Sequence, residues 1–273
     1  MKTLNPIANQ LNDARIFQIM YLLIFLIYGT LNLKWDFNPL IIISIILSCI
    51  LTQIIACYIY SKSFDAVKSA LVTSLGLSIL LKTDSIEVAI LAGFIAISSK
   101  YILRINTKHI FNPANIGIIA AVYLTNNAWV SPGQWGSNII LLYFIGAAGT
   151  MMLFKVGRID TGIVFLLTYG IIQLIYSCLF LQWPFDFFLH KMSNGALLLY
   201  SFFMITDPST TPNNKKARII WSVSIAVLSF YFAEIKYMNG APIKALFIIS
   251  LSTPVIDYLY KGQYFSWKHS LKF

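Results

Sequence analysis

The sequence predicts an all-α polytopic membrane protein with about ten transmembrane helices in two inverted five-helix repeats that include short, broken helices. Three observations predict this fold class: the composition, the distribution of basic residues, and paired motifs in the two halves. Of the 273 residues, 58% are hydrophobic and 11% are charged, whereas soluble domains carry about 25% charged residues. The mean hydropathy of +0.74 agrees with that contrast. The composition therefore excludes a soluble globular domain.

The apolar runs predict ten membrane segments in a single membrane domain, 1–273. Repeat one covers about 16–124, repeat two about 137–260, and a cytoplasmic tail follows at 261–273. An unbroken helix needs about 20 residues to cross a hydrocarbon core of about 30 Å, so the third, fifth and eighth segments are too short. The predicted segments are 16–33, 39–60, 66–81, 85–103, 115–124, 137–154, 159–180, 195–205, 219–235 and 242–260.

The basic residues support this order of segments. Fifteen of the 20 Lys and Arg residues fall on one side of the predicted membrane, which the positive-inside rule makes the cytoplasmic side, with both termini there. The net charge of +10 therefore reflects topology, and we expect no nucleic-acid partner. The fifteen are Lys2, Arg15, Lys62, Lys68, Lys100, Arg104, Lys108, Lys155, Arg158, Lys215, Lys216, Arg218, Lys261, Lys268 and Lys272, against Lys34, Lys82, Lys191, Lys236 and Lys244.

Two motifs recur in the same order in both halves. The dipeptide Thr-Asp ends the third segment at 83–84 and the eighth at 206–207. About 30 residues later, N-P-A-N-I begins at Asn112 and N-G-A-P-I begins at Asn239. The copies are five segments apart, an odd number, so they have opposite orientations. Inverted repeats with short or interrupted segments predict a binding site near the membrane midplane.

The stretch 193–212 is the strongest single indication of a site. A flexible S-N-G start precedes about a dozen apolar residues, and T-D-P ends them abruptly. A short, broken helix is tolerated at membrane depth only where protein or a cavity satisfies its backbone. An acid at its end is costly unless it is interfacial or paired.

Three stretches resemble a known family, RnfD/NqrB, whose members are membrane subunits of the Rnf electron-transport complex and of the sodium-translocating NADH:quinone reductase. Residues 68–81, K-S-A-L-V-T-S-L-G-L-S-I-L-L, are similar to its S-A-L-L-T-G-L-L-L motif. Residues 110–120, I-F-N-P-A-N-I-G-I-I-A, are similar to its F-N-P-A-x-x-G signature. The T-D-P at 206–208 and T-P-V-I-D-Y at 253–258 resemble its closing motifs. The resemblance covers most of 61–264.

The resemblance implies a ten-helix inverted-repeat fold, similar in plan to urea and ammonium channels. It also implies a flavin, riboflavin or FMN, and electron transfer within a larger complex. It favours a set of cofactor-binding candidates on the motifs described above and no catalytic residue of the soluble type. The candidates are Asn112, Pro113, Asn115, Gly195, Thr206, Asp207 and Asn239.

Each principal candidate also has a structural interpretation. The helix start at Asn112 and Pro113 suits an anionic or carbonyl-bearing ligand, or Asn112 simply caps the helix. Asp207 can carry a proton or cation, can bind a flavin ring N–H, or can form an Asx-turn before Pro208. Asp257 is expected to pair with a cytoplasmic-side base such as Lys261, one turn away at i,i+4. The three histidines have no metal-ligand spacing, so no metal site is expected.

One departure from the family concerns covalent flavin. Family members carry a long insertion between the fifth and sixth segments, and its S-x-A-T motif joins FMN to a threonine. Here that region is only 125–136, T-N-N-A-W-V-S-P-G-Q-W-G, and S-x-A-T is absent from the chain. The chain thus resembles short, stand-alone or UnbU-like members, and we expect any riboflavin or FMN to be non-covalent.

The sequence leaves three functional hypotheses open. The first is a flavin-dependent electron-transfer protein, hence part of an oxidoreductase complex rather than a stand-alone enzyme, in the cytoplasmic membrane with other electron-transport subunits. The coupling of this transfer to ion transport belongs to the same hypothesis. The second is a channel-like or carrier-like transporter of flavin or another small solute on the same scaffold. The third is a structural component that retains the fold.

Overall fold

A computed structural model describes residues 13–33, 35, 38–61, 63–105, 108–131, 139–263 and 265. The predicted start of repeat two at 137, part of the 125–136 loop and most of the 261–273 tail lie outside these residues, as does His269. The described chain is mostly helical, as the sequence predicts.

In the residues that the structure describes, the first half contains five helices, most of which begin at a polar capping side chain. Asp13, Asn38, Ser85 and Asn112 each accept a hydrogen bond from a backbone N–H of the following turn. One short helix instead continues from a 3₁₀ turn, Phe64–Ala66. The helices are α1 (Ala14–Leu31), α2 (Pro39–Ile59), α3 (Val67–Leu80), α4 (Ile86–Ile102) and α5 (Pro113–Thr125).

The second half contains seven helices, three of which continue into π-helical turns. The helices are α6 (Ile139–Val156), α7 (Ile159–Leu174), α8 (Phe185–Met192), α9 (Gly195–Leu199), α10 (Lys215–Phe230), α11 (Ala241–Ser250) and α12 (Thr253–Leu259). The π turns Ile175–Phe180, Tyr200–Met204 and Tyr231–Ile235 extend α7, α9 and α10.

Helices occupy all ten predicted segment positions in the described chain, but they differ in their capacity to cross a membrane. Four are long and apolar enough, and a fifth span results if α11 and α12, which meet at a 48° bend, count as one. The chain is therefore a multi-pass membrane protein. Ten crossings and inverted repeats stay predictions. The long spans are Ala14–Leu31, Pro39–Ile59, Ile159–Phe180 and Lys215–Ile235.

Two short strand pairs are a feature that the all-α prediction lacked. β1 (Leu81–Thr83) pairs antiparallel with β4 (Ala128–Val130). The extended segments that follow α3 and α5 therefore satisfy each other's backbone N–H and carbonyl groups. β2 (Arg104–Ile105) pairs with β3 (Lys108–His109) between α4 and α5. A 14-residue helix such as α3 spans only about 21 Å. The chain therefore continues as extended backbone, whose polar groups need partners inside the protein.

Helix α8 is the second element that the ten-segment prediction omitted. It lies between the seventh and eighth predicted segments, and none of its eight residues is buried. Phe185, Phe187 and Leu189 are among its exposed apolar side chains. It was missed because it is too short and too polar to register as a membrane segment.

The core consists of two apolar clusters. The larger one joins α2, α4, α5, α7, α10 and α11 with residues of α3 and of α9 and its π turn, and Trp221 and Tyr200 are among its fully buried side chains. The smaller one joins α1, α3, α6 and α9, including Phe25, Met152 and Phe202. Met152 and Phe202 of this second cluster line an internal cavity.

The α6–α9 contact depends on a glycine, which gives a test of the packing. A Cβ on Gly149 would lie 2.3 Å from Cγ of Phe202, whereas a Cβ on Gly146 of the same helix meets nothing within 4 Å. We expect G149A to destabilise the protein by about 1 to 3 kcal/mol because it overfills the contact. G146A should be neutral or stabilise by up to about 1 kcal/mol.

The measurement is the thermal unfolding midpoint of the purified protein in lipid nanodiscs, with both variants prepared in parallel. Equal midpoints for G149A and G146A would contradict the close approach of α6 and α9.

Candidate functional site

An internal cavity lies between α1, α3, α6 and α9 and is capped by the start of α5 and the loop after α9. Its empty space, mouth included, is about 900 Å³. One side is apolar, with Leu22, Ile79, Met152, Phe202 and Phe203. The other is polar, with Arg15, Gln18, Ser69, Thr73, Lys100, His109, Asn112, Thr206, Asp207 and Ser209.

Asn112 combines the capping role and the cavity role that the sequence left as alternatives. Its side-chain oxygen accepts a hydrogen bond from the backbone N–H of Asn115 (3.1 Å), which caps α5. Its side-chain nitrogen donates to the Asp207 carboxylate (3.2 Å) and to the Met204 carbonyl (3.4 Å). Pro113 occupies the first turn of α5 and also lines the cavity. The two motifs, nearly 100 residues apart, therefore meet at one wall.

Asp207 likewise has a structural role and faces the cavity. One carboxylate oxygen accepts the backbone N–H of Ser209 (2.9 Å), which is the Asx-turn expected before Pro208. The other oxygen accepts from Asn112. Burial raises the pKa of the Asp207 carboxyl, while the Ser209 N–H and the Lys100 ammonium oppose that rise. Thr206 lines the cavity too, but its hydroxyl donates to the Phe202 carbonyl (2.6 Å).

Lys100 is the cavity residue that the sequence analysis missed. It lies in the last turn of α4, is only 5% exposed, and donates to the backbone carbonyl (3.3 Å) and hydroxyl (3.2 Å) of Ser69. Among the described residues, no carboxylate lies within ion-pair distance of it. Lys100 had been counted as a loop cation. Its position inside a predicted apolar segment was the available signal.

His109, also missed, forms part of the same wall. Its Nδ1 donates to the Lys100 carbonyl (3.1 Å). Burial, with the positive charges of Lys100 and Arg104, lowers the pKa of His109 to about 4. His109 is therefore neutral at pH 7. Beyond it lies a second cavity lined by Lys108, Asn213 and Asp257 among others, and His109 contributes to both.

Three of the seven predicted site residues lie away from the cavity. Asn115 is fully buried in α5 and donates to the Ile243 carbonyl of α11 (2.8 Å); its side-chain oxygen has no hydrogen-bond partner in the described chain. Gly195 is the first residue of α9. Asn239 is exposed in the turn before α11. The structure thus brings together Asn112, Pro113, Thr206 and Asp207.

Asp257 pairs with a base that was assigned to the cytoplasmic side, but the partner is Lys108 rather than Lys261. Asp257 accepts instead from Lys108 of β3 (2.8 Å) and from the backbone N–H of Asn213 (2.7 Å). Lys108 also donates to the Thr211 carbonyl. Side chains at i,i+4 are neighbours on a helix, but α12 ends at Leu259, before Lys261. The ammonium of Lys108, from a distant part of the chain, binds Asp257 instead. This contact ties the β2–β3 hairpin of the first half to the second half.

The fold and the cavity define a multi-pass membrane protein with a partly polar internal site. In the described residues, no group of three His, Cys, Asp or Glu is placed to hold a metal ion. The sequence profile of the NQR2, RnfD, RnfE family matches residues 120–266, just over half of the chain. The chain belongs to that family, and it is a membrane subunit of the NQR/Rnf type. A comparison with curated proteins finds no match.

The neutral state of His109 predicts a pH dependence of stability. In the unfolded chain its pKa is near the ordinary 6.5, and in the fold it is about 4. The unfolded state therefore binds more protons between these values. The stability that His109 contributes is complete above pH 6.5 and is lost as the pH falls toward 4, by about 2 kcal/mol at pH 5.

We expect the thermal unfolding midpoint of H109Q to fall less than that of the wild type between pH 7 and pH 5, because glutamine can donate to the Lys100 backbone carbonyl without titrating. The measurement is thermal unfolding of both proteins at each pH and at matched ionic strength. Parallel pH profiles for the two proteins would contradict a neutral, buried His109.

The Lys108–Asp257 pair predicts a coupling between the two halves. D257N leaves a largely buried ammonium without its carboxylate, and we expect it to cost about 3 kcal/mol. The double variant K108M/D257N should recover much of that loss. D84N, at an exposed aspartate, is the matched control and should be neutral. A double-mutant cycle in unfolding free energy measures the coupling, and additive effects would argue against it.

Proposed function

We propose that this chain is the flavin-holding membrane component of an NQR/Rnf-type electron-transport complex. It holds riboflavin or FMN non-covalently in the cavity and relays electrons with partner subunits, with coupling to transmembrane ion transport in the assembled complex. One observation carries the proposal: Asn112 and Asp207, from two separate motifs, are hydrogen-bonded to each other at a cavity wall that also contains Lys100.

The proposed scaffold has ten crossings in two inverted repeats, with both termini cytoplasmic. Equivalent helix pairs pack in both halves: α2 on α4 as α7 on α10, α4 on α5 as α10 on α11, and α1 on α3 as α6 on α9. The halves contact each other through equivalent pairs as well, α1 with α6 and α5 with α11. This correspondence at an offset of five segments supports inverted repeats.

The cavity has the donor set that a flavin requires. A flavin ring system presents an edge of carbonyl and N–H groups and two apolar faces. Asn112 could donate to that edge in exchange for its hydrogen bond to the Met204 carbonyl, Asp207 could accept from it, and Phe202 and Phe203 offer apolar surface. Lys100 supplies a buried positive charge, which favours the negative charge that accumulates on a flavin when it is reduced.

The chemistry of electron transfer would come from the bound flavin, and the residues of this chain would bind, orient and shield it. Because the chain lacks the S-x-A-T motif, such contacts alone would retain the flavin. The electron donor and acceptor would lie on other subunits of the complex.

A solute carrier is the second candidate, and one observation favours it. His109 lines both the first cavity and the second. The two cavities therefore share a wall, and a displaced hairpin would connect them. A carrier of flavin or another small solute could use that route without redox chemistry.

The first test is the visible absorption spectrum of the detergent-purified protein before and after acid precipitation. We expect flavin bands that move entirely to the supernatant. Colour retained in the pellet would instead mean covalent attachment. A colourless protein that reconstitutes with neither riboflavin nor FMN would refute the flavin proposal.

Variants then locate the flavin. N112S retains a capping oxygen for α5 but loses the amide donor, and D207N loses the negative charge. We expect each to weaken riboflavin binding at least about tenfold, since each removes a polar contact of about 1.4 kcal/mol or more. N239A, at an exposed turn outside the cavity, is the control. Equal losses in all three would place the flavin elsewhere.

K100M separates electron transfer from transport. If a bound flavin is reduced beside Lys100, removal of the ammonium should lower the reduction midpoint potential while some binding persists. Substrate flux in proteoliposomes, with an unchanged potential in K100M, would favour the carrier.

A further inference from the structure

Arg158, between α6 and α7, is a buried cation that neither cavity uses. Only 7% of the residue is exposed, and its Nε is buried without a hydrogen-bond partner in the described chain. No carboxylate of the described residues lies within ion-pair distance of it. A buried charge is unfavourable unless it is paired and hydrogen-bonded. An anion that reaches this guanidinium would therefore be bound favourably.

The carboxylate nearest to Arg158 in the sequence, Asp160, is bound by a second arginine. Arg218, in the first turn of α10, donates from Nε to Asp160 at 2.8 Å and from Nη1 to the Asn213 carbonyl at 2.9 Å. Burial and the positive charge of Arg218 lower the pKa of Arg158 to about 10. Arg158 therefore remains charged at pH 7, beside a second cation whose carboxylate is already bound.

An aromatic ring covers one face of the Arg158 guanidinium. The centroid of the Phe265 ring lies 5.6 Å from its Cζ. An arginine that stacks on a ring still presents its N–H groups in the plane of the guanidinium, where two of them can bind a phosphate or a carboxylate in parallel. The stacked guanidinium is therefore suited to an oxyanion.

The surroundings of this guanidinium match a phospholipid. The Arg218–Asp160 contact joins the first turns of α7 and α10, so both spans begin at the same membrane face. Two exposed lysines, Lys215 and Lys216, begin α10. About one turn further along the two spans, Ile163 and Ile220 are exposed. Cations above a lipid-facing apolar surface are complementary to an anionic headgroup and its acyl chains.

We propose that Arg158, together with Lys215 and Lys216, binds the phosphate group of an anionic phospholipid, whose acyl chains lie on the exposed apolar surface of α7 and α10. The phosphate oxygens accept hydrogen bonds from the guanidinium, and the two lysines favour an anionic lipid over a zwitterionic one. None of these three residues lines either cavity. The inference therefore does not depend on flavin binding.

Lipid titrations of the full chain, purified in a neutral detergent, test the site. We expect phosphatidylglycerol to raise the thermal unfolding midpoint in a saturating manner. Phosphatidylcholine with the same acyl chains should raise it less, and inorganic phosphate at the same concentration should leave it unchanged. An equal rise with phosphatidylcholine would overturn a site for an anionic headgroup. An equal rise with inorganic phosphate would indicate a site for a free anion and would overturn the lipid assignment.

Variants locate the lipid. We expect R158M to weaken phosphatidylglycerol binding at least about tenfold in native mass spectrometry, because it removes charge-assisted hydrogen bonds. K155M removes the same charge three residues earlier, where Nζ of Lys155 lies 4.2 Å from the centroid of the Phe17 ring of α1. This matched control should bind like the wild type.

The double variant K215M/K216M, at two exposed positions, provides a test that does not require R158M to fold. It should also weaken phosphatidylglycerol binding and should reduce the preference over phosphatidylcholine. Wild-type binding in R158M or in K215M/K216M would overturn the proposal, as would equal losses in K155M and R158M.

Discussion

The constraint on which the structure depends is the need to satisfy backbone polar groups wherever a helix is too short to cross the bilayer. Helices α3 and α5 end in strands that pair with each other, and the loop after α9 is held by hydrogen bonds around Asp207. An unpaired N–H or carbonyl in hydrocarbon costs several kcal/mol. The broken helices therefore gather in the protein interior. The cavity forms where their ends meet, so fold and site have one cause.

Buried charged side chains also need partners inside the protein. Lys108 forms an ion pair with Asp257, and Lys191 forms one with Glu234; the two residues of each pair are far apart in the sequence. Lys100 differs, because Ser69 alone supplies its hydrogen bonds in the described chain. Burying an ammonium without a carboxylate is unfavourable. A ligand that brings negative charge into the cavity would offset that cost. This is why we propose the cavity, rather than either ion pair, as the flavin site.

The membrane class and the positions of the helices follow from composition and from the apolar runs. Asn112 and Asp207 were predicted as site residues from the recurrence of two motifs, and the structure places them in contact. The sequence did not predict the elements that are too short to show a periodic hydrophobic pattern. The strands β1 to β4 contain only two or three residues each, and α8 is shorter than any span. Lys100 was taken for a loop cation because its segment's end could not be located to within one helical turn.

By itself the sequence determined that the chain lies in a membrane, that its third, fifth and eighth segments are broken, and which motifs belong to the family. These properties depend on hydropathy and on local breakers such as Pro208, which act within a few residues. Only the tertiary structure decided which charges pair and which residues share the cavity. The spacing of Asp257 and Lys261 suggested a helical pair, yet α12 ends at Leu259 and Asp257 binds Lys108, which packing brings near it from a distant part of the chain. The spacing of residues along the chain indicates which side chains are neighbours within one helix. Which side chains of different helices are in contact depends on how those helices pack.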